Sequence, residues 1–260
     1  MAYEKEMAAL ASALSAAVER AVSGKRRVAI SFSGGLDSSL LAYLAKGRCE
    51  VRLYTFGLEN SEDLRFSRVA ARELGMELEE IVADGKELLA LLDEAKGITR
   101  ETELMKLELS IPLLAVCRRA GEDGLRFILT GAGAEELFAG YERHRHSFLS
   151  GEDLRRLLES ELAGLYEKDL RRSGLIAESC GLELVLPFLD QAVVDAARAI
   201  PPEMNFENGR KKAVLARAAL LLGLPERIAL RPKRAMQYGT GVHRALTRLA
   251  ASALNKSPKK

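Results

Sequence analysis

The stretch from Ser31 to Ser39, Ser-Phe-Ser-Gly-Gly-Leu-Asp-Ser-Ser, constrains this chain more than any other. It follows the apolar run Val28-Ala29-Ile30 and precedes Leu40-Leu41-Ala42-Tyr43-Leu44-Ala45, so a short strand hands over to a helix through a Gly/Ser turn. Backbone N–H groups at such a turn converge on the helix N-terminus, where partial positive charge favours phosphate. Gly34 and Gly35 carry no Cβ and let a ligand approach the backbone. Ser33, Ser38 and Ser39 add hydroxyl donors, and the Asp37 carboxylate is the kind of oxygen ligand that Mg²⁺ takes beside phosphates. A plain capped helix would also accept serine and aspartate here, but the whole string in a strand–turn–helix setting favours the phosphate reading. A Walker loop would require Gly-Lys-Ser/Thr and a dinucleotide fingerprint a third glycine, and this stretch has neither.

The surrounding pattern alternates. Strands are expected over 27–32, 50–56, 76–82 and 126–130, and helices over 3–23, 38–46, 61–74, 86–95 and 104–120, the last broken or kinked near Pro112. Short connections between them imply an α/β fold, a parallel sheet with helices on both faces. From about residue 147 only helical patterns follow, over 154–172, 191–199, 210–222 and 242–254. The expected organisation is an α/β region over 1–147 and an all-helical region over 148–260, forming one unit with a cleft between its halves.

Ligands of parallel sheets bind beyond the C-terminal strand ends, so the loops after Phe32, Phe56 and Thr130 are the candidates. Phe56 could pack on a purine or equally be a core residue, with Asn60 or Ser61 capping the helix that follows. Thr130-Gly131-Ala132-Gly133-Ala134-Glu135-Glu136 is a second glycine turn entering a helix. Carboxylates in a first helical turn are expected from the dipole alone, but opposite Asp37 one of these two completes a Mg²⁺ site. Asp190, at the end of Leu186-Pro187-Phe188-Leu189-Asp190, reads as a helix N-cap. Arg231-Pro232-Lys233-Arg234 precedes the glycine-containing Gln237–Gly241 stretch; it reads as a solvated surface loop or as a mobile loop that brings Lys233 onto phosphates.

Composition narrows the partners. Among 260 residues, 39 Lys and Arg against 37 Asp and Glu leave a net charge of +2, which gives no global drive toward nucleic acid or an anionic membrane. No stretch reaches the ~18 consecutive apolar residues of a membrane span. The N-terminus lacks a signal pattern, so a cytoplasmic location is expected. Cys49, Cys117 and Cys180 form no Cys-x-x-Cys pair, and His144-x-His146 has no third ligand in view and reads as surface charge.

With these segments in order, the nonamer resembles the PP-loop of ATP pyrophosphatases. From about residue 10 to 245 the chain resembles the synthetase domain of asparagine synthetases and the related β-lactam synthetases. The resemblance implies an adenine nucleotide alpha-hydrolase-like fold of the HUP type. It implies that Phe32, Ser33, Gly34, Gly35, Leu36, Asp37, Ser38 and Ser39 hold ATP, with Phe56, Thr130 and Gly131 at the nucleoside. It further implies that Asp37 and Glu135 bind Mg²⁺ and that Lys233 and Asp37 are catalytic. The activity implied is an ATP-dependent ligase that releases AMP and pyrophosphate, adenylating a carboxylate (aspartate by default) for attack by ammonia or another amine.

Three departures bear on the acceptor. Ala132 stands where these families carry a catalytic glutamate or tyrosine, and Val185 where an arginine usually precedes Pro-Phe-Leu-Asp. The chain also begins Met1-Ala2-Tyr3 without a glutaminase domain, which leaves free ammonia, another amine or a separate glutaminase subunit as the expected nitrogen source; a homodimer is a separate expectation. Two alternatives stay open: a PP-loop enzyme adenylating a tRNA base, favoured by the clusters 143–146, 171–172 and 211–212, and an ATP-binding subunit of a separate glutaminase.

Overall fold

The computed structural model describes residues 3–231 and 236–256, so Lys233 lies outside the described residues. Five strands, β1 (Arg27–Ser31), β2 (Glu50–Leu58), β3 (Leu78–Ala83), β4 (Phe127–Leu129) and β5 (Glu183–Val185), form one parallel sheet in the order β3-β2-β1-β4-β5. The expected α/β class with a parallel sheet is therefore present. β1 lies at its centre because Val28, Ala29 and Ile30 are apolar on both faces, and all three are fully buried.

Among the helices that connect and flank the strands are α1 (Glu4–Val22), α2 (Leu36–Ala45), α3 (Glu62–Leu74), α4 (Gly85–Thr99), α5 (Leu104–Glu122), α6 (Ala134–Leu137), α7 (Glu142–Ser150), α8 (Leu154–Ala163), α9 (Arg171–Ser179), α10 (Gln191–Arg198) and α11 (Ala213–Leu221). Strand side chains alternate between two cores. Val28, Ile30, Leu53 and Leu129 pack with α1, α2, α10 and α11. Ala29, Tyr54, Phe56 and Ile128 pack with α4, α5, α9 and the last helix, Val242–Lys256. Helices thus cover both faces. Among the described residues no helix is long and apolar enough to cross a membrane.

Three local expectations need correction. The second half is not purely helical: Glu183–Val185 pairs with β4 through Phe127↔Glu183 and Leu129↔Val185. A three-residue strand is too short to show a period of two, so it passes for an apolar loop. The helix expected over 154–172 is instead α8, a π-helical turn Tyr166–Leu170 and then α9. A one-residue shift of hydrogen bonding leaves the apolar spacing almost unchanged and escapes periodicity. Finally, α5 runs through Pro112 without a break; burial of most of its length outweighs the lost N–H donor.

The strand order places the ligand crevice. β1 connects toward β2 on one side while β4 connects toward β5 on the other, so the order reverses between β1 and β4. At such a switch point the two loops leave in opposite directions and open a cleft above the strand ends. The loops concerned are Phe32–Gly35 and Thr130–Gly133.

Candidate active site

The first glycine turn is built around Gly34. Its φ is +63°, and a Cβ there would lie 2.7 Å from the Phe66 carbonyl oxygen of α3. Only glycine satisfies both the left-handed backbone and the close approach. The serines then knit the loop: Ser33 N–H donates to Ser38 Oγ at 3.3 Å, and the two hydroxyls lie 3.4 Å apart. Ser39 Oγ, in the first turn of α2, is buried with no hydrogen-bond partner. An orphaned hydroxyl beside the unpaired first-turn N–H groups of a helix is a polar cradle of the kind a phosphate oxygen satisfies.

Phe32 and Phe56 flank this cradle in buried positions. Their side chains are 2% and 3% exposed and belong to opposite cores. Phe32 also uses both main-chain groups, donating to Tyr54 O at 2.7 Å and accepting from Ser67 Oγ at 3.3 Å. Ser61 occupies the N-cap position of α3, yet its Oγ makes no capping bond.

The second turn comes to meet the first. A Cβ on Gly131 would stand 2.9 Å from Asp37 Cβ, and one on Gly133 (φ +89°) would stand 2.3 Å from Leu189 Cδ2. Gly131 thus admits Asp37, and Gly133 admits the Pro187–Leu189 turn. Thr130 N–H donates to Val185 O at 3.2 Å, and Ala132 is carried between the two glycines. Asp190 caps α10 through Ala192 N–H at 3.0 Å and accepts from Arg20 Nη2 at 2.8 Å and Nε at 3.1 Å, which fixes this turn on α1.

Asp37 and Glu135 converge on a single cation, the ammonium of Lys212. Lys212 Nζ is 2.9 and 2.8 Å from the two Asp37 oxygens and 2.9 Å from Glu135 Oε1. Asp37 and Lys212 side chains are each 11% exposed, and Glu135 is 33% exposed. Burial alone pulls the Lys212 pKa down, but the two carboxylates outweigh it and raise it above the usual lysine value, so the ammonium is charged. Gly140 closes the site, since a Cβ there would overlap Glu135 Oε2 and Lys212 Cε. The two carboxylates thus share one ammonium at 2.8–2.9 Å, and as a donor set they fit Mg²⁺, which takes one or two carboxylates together with phosphate oxygens.

Glu136, beside Glu135, points elsewhere. It is 3% exposed, burial raises its pKa, and it accepts from Tyr141 Oη at 2.8 Å. Arg231, immediately before the undescribed segment, donates from Nη1 to Gly34 O at 2.8 Å and stacks 3.3 Å from the Phe66 ring centroid. Burial lowers its pKa against the opposing pull of Asp63 and Glu62. On the far side of that segment, Leu58 N–H at the end of β2 donates to Thr240 O at 2.9 Å.

The basic clusters dissolve into individual roles. His144 is fully buried, accepting from Tyr141 N–H at Nδ1 and lying 2.9 Å from Glu161 Oε2 through Nε2, which assigns the proton to Nε2. It is a structural group rather than surface charge, and only His146 is exposed. Arg172 is 5% exposed and bonds Asp169, Lys106 O and Ser110 Oγ. With Lys212 and Lys211 also paired, each cluster has a member turned inward and offers no continuous positive face. Sequence reasoning missed Lys212 and Arg231 as site residues. Lys212 was hidden in a Lys-Lys pair 175 residues from Asp37.

A family model described as asparagine synthase matches residues 9–156 and 146–260. The putative asparagine synthetase [glutamine-hydrolyzing] 1 of Methanocaldococcus jannaschii is 34% identical over 281 residues, 95% of this chain and 52% of that protein. The asparagine synthetase [glutamine-hydrolyzing] of Homo sapiens is 32% identical over 234 residues, 86% of this chain and 41% of that protein. The chain spans about half the length of the curated relatives it matches. Among solved structures, the NH3-dependent NAD synthetase from Campylobacter jejuni aligns over 100% of this chain and 99% of that one, at 16% identity and a TM-score of 0.40, too low to bear on the argument.

Proposed function

The chain belongs to the asparagine synthase family, and we propose that it is an ATP-dependent amide ligase that forms AMP and pyrophosphate, adenylating a carboxylate for attack by ammonia or another amine. The observation that carries this reading is the convergence of Asp37 and Glu135, from two glycine turns at the switch point, on one buried cation seat beside the Ser33–Ser39 cradle.

In this reading the first-turn N–H groups of α2 and the hydroxyls of Ser33, Ser38 and Ser39 hold the β- and γ-phosphates. Asp37 and Glu135 are the residues that would hold Mg²⁺, which supplies charge neutralisation to the departing pyrophosphate. Thr130 and Gly131 border the nucleoside. Lys233 is given to the pyrophosphate because it falls on the catalytic lysine that the family resemblance implies. An oxygen of the carboxylate substrate attacks the α-phosphorus, the bond to the β-phosphate oxygen breaks, and pyrophosphate departs. The amine then attacks the acyl carbon, a C–N bond forms, and AMP leaves. Splitting the reaction this way converts a poor electrophile into a reactive one.

Aspartate is the default acceptor. Ala132 takes no part in proton transfer, so the amine loses its proton to solvent or to AMP. Ammonia enters free or from a separate glutaminase. The test is pyrophosphate release with ATP, Mg²⁺ and aspartate, with and without ammonium, and then with glutamine plus an added glutaminase. Release that requires aspartate is expected; absence of release in every arm overturns aspartate as the acceptor.

A further inference from the structure

Lys212 is not placed by helix geometry alone. It sits at the N-cap of α11 with φ +56°, a left-handed conformation unfavourable for a residue with a Cβ. That strain positions its ammonium between two carboxylates that come from turns about a hundred residues apart in sequence. Without it, Asp37 and Glu135 would have no cation between them, a like-charge arrangement that opposes their approach. With it, the site carries two negative charges and one positive, so a further cation is still attracted but its seat is taken.

We propose that Lys212 is a displaceable stand-in for the divalent cation. Its ammonium holds the Asp37–Glu135 seat together in the nucleotide-free protein, yields the carboxylates to the metal that arrives with the nucleotide, and turns to the nucleotide's phosphates. The inference rests on the nucleotide-binding reading of Ser31–Ser39. Its physical core is pairing. A metal arriving alone would strand a buried ammonium without a partner, which is costly. A metal arriving with a polyphosphate brings the anion that the displaced ammonium needs. Lys212 therefore couples metal binding to nucleotide binding, and is a positioning residue for both.

Equilibrium dialysis, which counts protein-bound Mn²⁺ apart from the Mn²⁺–ATP complex free in solution, separates the alternatives. Wild type, Lys212→Met and Asp37→Asn/Lys212→Met are each titrated with Mn²⁺ alone and with Mn²⁺ plus ATP. The expected result is that Lys212→Met binds Mn²⁺ alone at least tenfold more tightly than wild type, and that the added Asp37→Asn removes the gain. Should Lys212→Met fold poorly, Lys212→Gln, whose amide still donates to a carboxylate, serves the same comparison. Thermal stabilisation by Mn²⁺ alone then provides a second readout, expected in the variant and weak in wild type. A variant that gains neither metal binding nor metal-dependent stabilisation, while wild type binds Mn²⁺ with ATP, overturns the stand-in role and leaves the nucleotide reading intact. Failure of wild type to bind Mn²⁺ with ATP overturns the nucleotide reading itself.

Discussion

Replacing Gly34 by alanine tests the architecture of the phosphate cradle, and Gly24 supplies its internal control. Both glycines have positive φ, +63° and +71°. An added Cβ at Gly24 meets nothing within 4 Å, whereas at Gly34 it would lie 2.7 Å from Phe66 O and 2.9 Å from Ser67 N. The left-handed conformation costs an L-residue about 1–2 kcal/mol, and that is the whole expected effect of Gly24→Ala. Gly34→Ala adds overpacking of about 1–3 kcal/mol. The main chain there has little room to yield, because Arg231 holds the Gly34 carbonyl and Phe66 O belongs to α3. The expected totals are roughly 1–2 and roughly 2–5 kcal/mol. For a chain of this size about 2–4 °C per kcal/mol applies, so Tm falls by roughly 2–8 °C in Gly24→Ala and by roughly 4–20 °C in Gly34→Ala. Thermal unfolding followed by circular dichroism, with and without Mg²⁺ and ATP, reads both. Only Gly34→Ala is expected to lose nucleotide-dependent stabilisation. Equal Tm shifts in the two variants, or full nucleotide stabilisation of Gly34→Ala, would refute the steric reasoning.

Three further outcomes follow from individual contacts. Arg231→Lys keeps the charge but loses the planar stack over Phe66 and the geometry of the bond to Gly34 O, for a destabilisation of about 1–3 kcal/mol and weaker ATP binding; unchanged Tm and affinity would remove Arg231 from the loop's support. Glu161 is pushed up by burial but held down by Arg143 and His144, from 4.5 to about 2. A depressed carboxyl pKa gives stability that is complete above the unfolded value and lost as pH falls through the folded one. The stability difference between wild type and Glu161→Gln should therefore be present at neutral pH, where His144 is uncharged, and be lost as pH falls toward 2, as measured by urea unfolding across that range. Burial lowers the His144 pKa below 6.5, so the unfolded chain binds more protons there and wild-type stability should begin to fall as pH drops through 6.5, a decline that His144→Gln should reduce.

The fold was legible wherever a local rule had a local cause. The parallel α/β class followed from apolar runs such as Val28–Ile30 alternating with helical spacing, and the Asp190 N-cap followed from residue type and position. The cradle followed from its glycines. What escaped depends on partners distant in sequence. β5 is three residues long and becomes a strand only beside β4. Lys212 and Arg231 are defined by contacts to Asp37 and Gly34 across 175 and 197 residues, which no periodicity records. Phe56 reads from sequence as either a purine surface or core, and its burial is decided only by the face of β2 that packs on α4 and α5. His144 was taken for surface charge because its neighbours are charged, yet α7 turns it onto Glu161 while His146 faces out.

The central claim is that ATP is held by its β- and γ-phosphates at Ser33–Ser39 and cleaved between its α- and β-phosphates. Separating the nucleotide products after incubation of the protein with Mg²⁺, ATP, ammonium and a panel of carboxylic acids beginning with aspartate tests it most directly. AMP and pyrophosphate are expected in equal amounts, dependent on one of the acids and abolished by Asp37→Asn. ADP and phosphate as the products, or ATP unchanged across the whole panel, would contradict it.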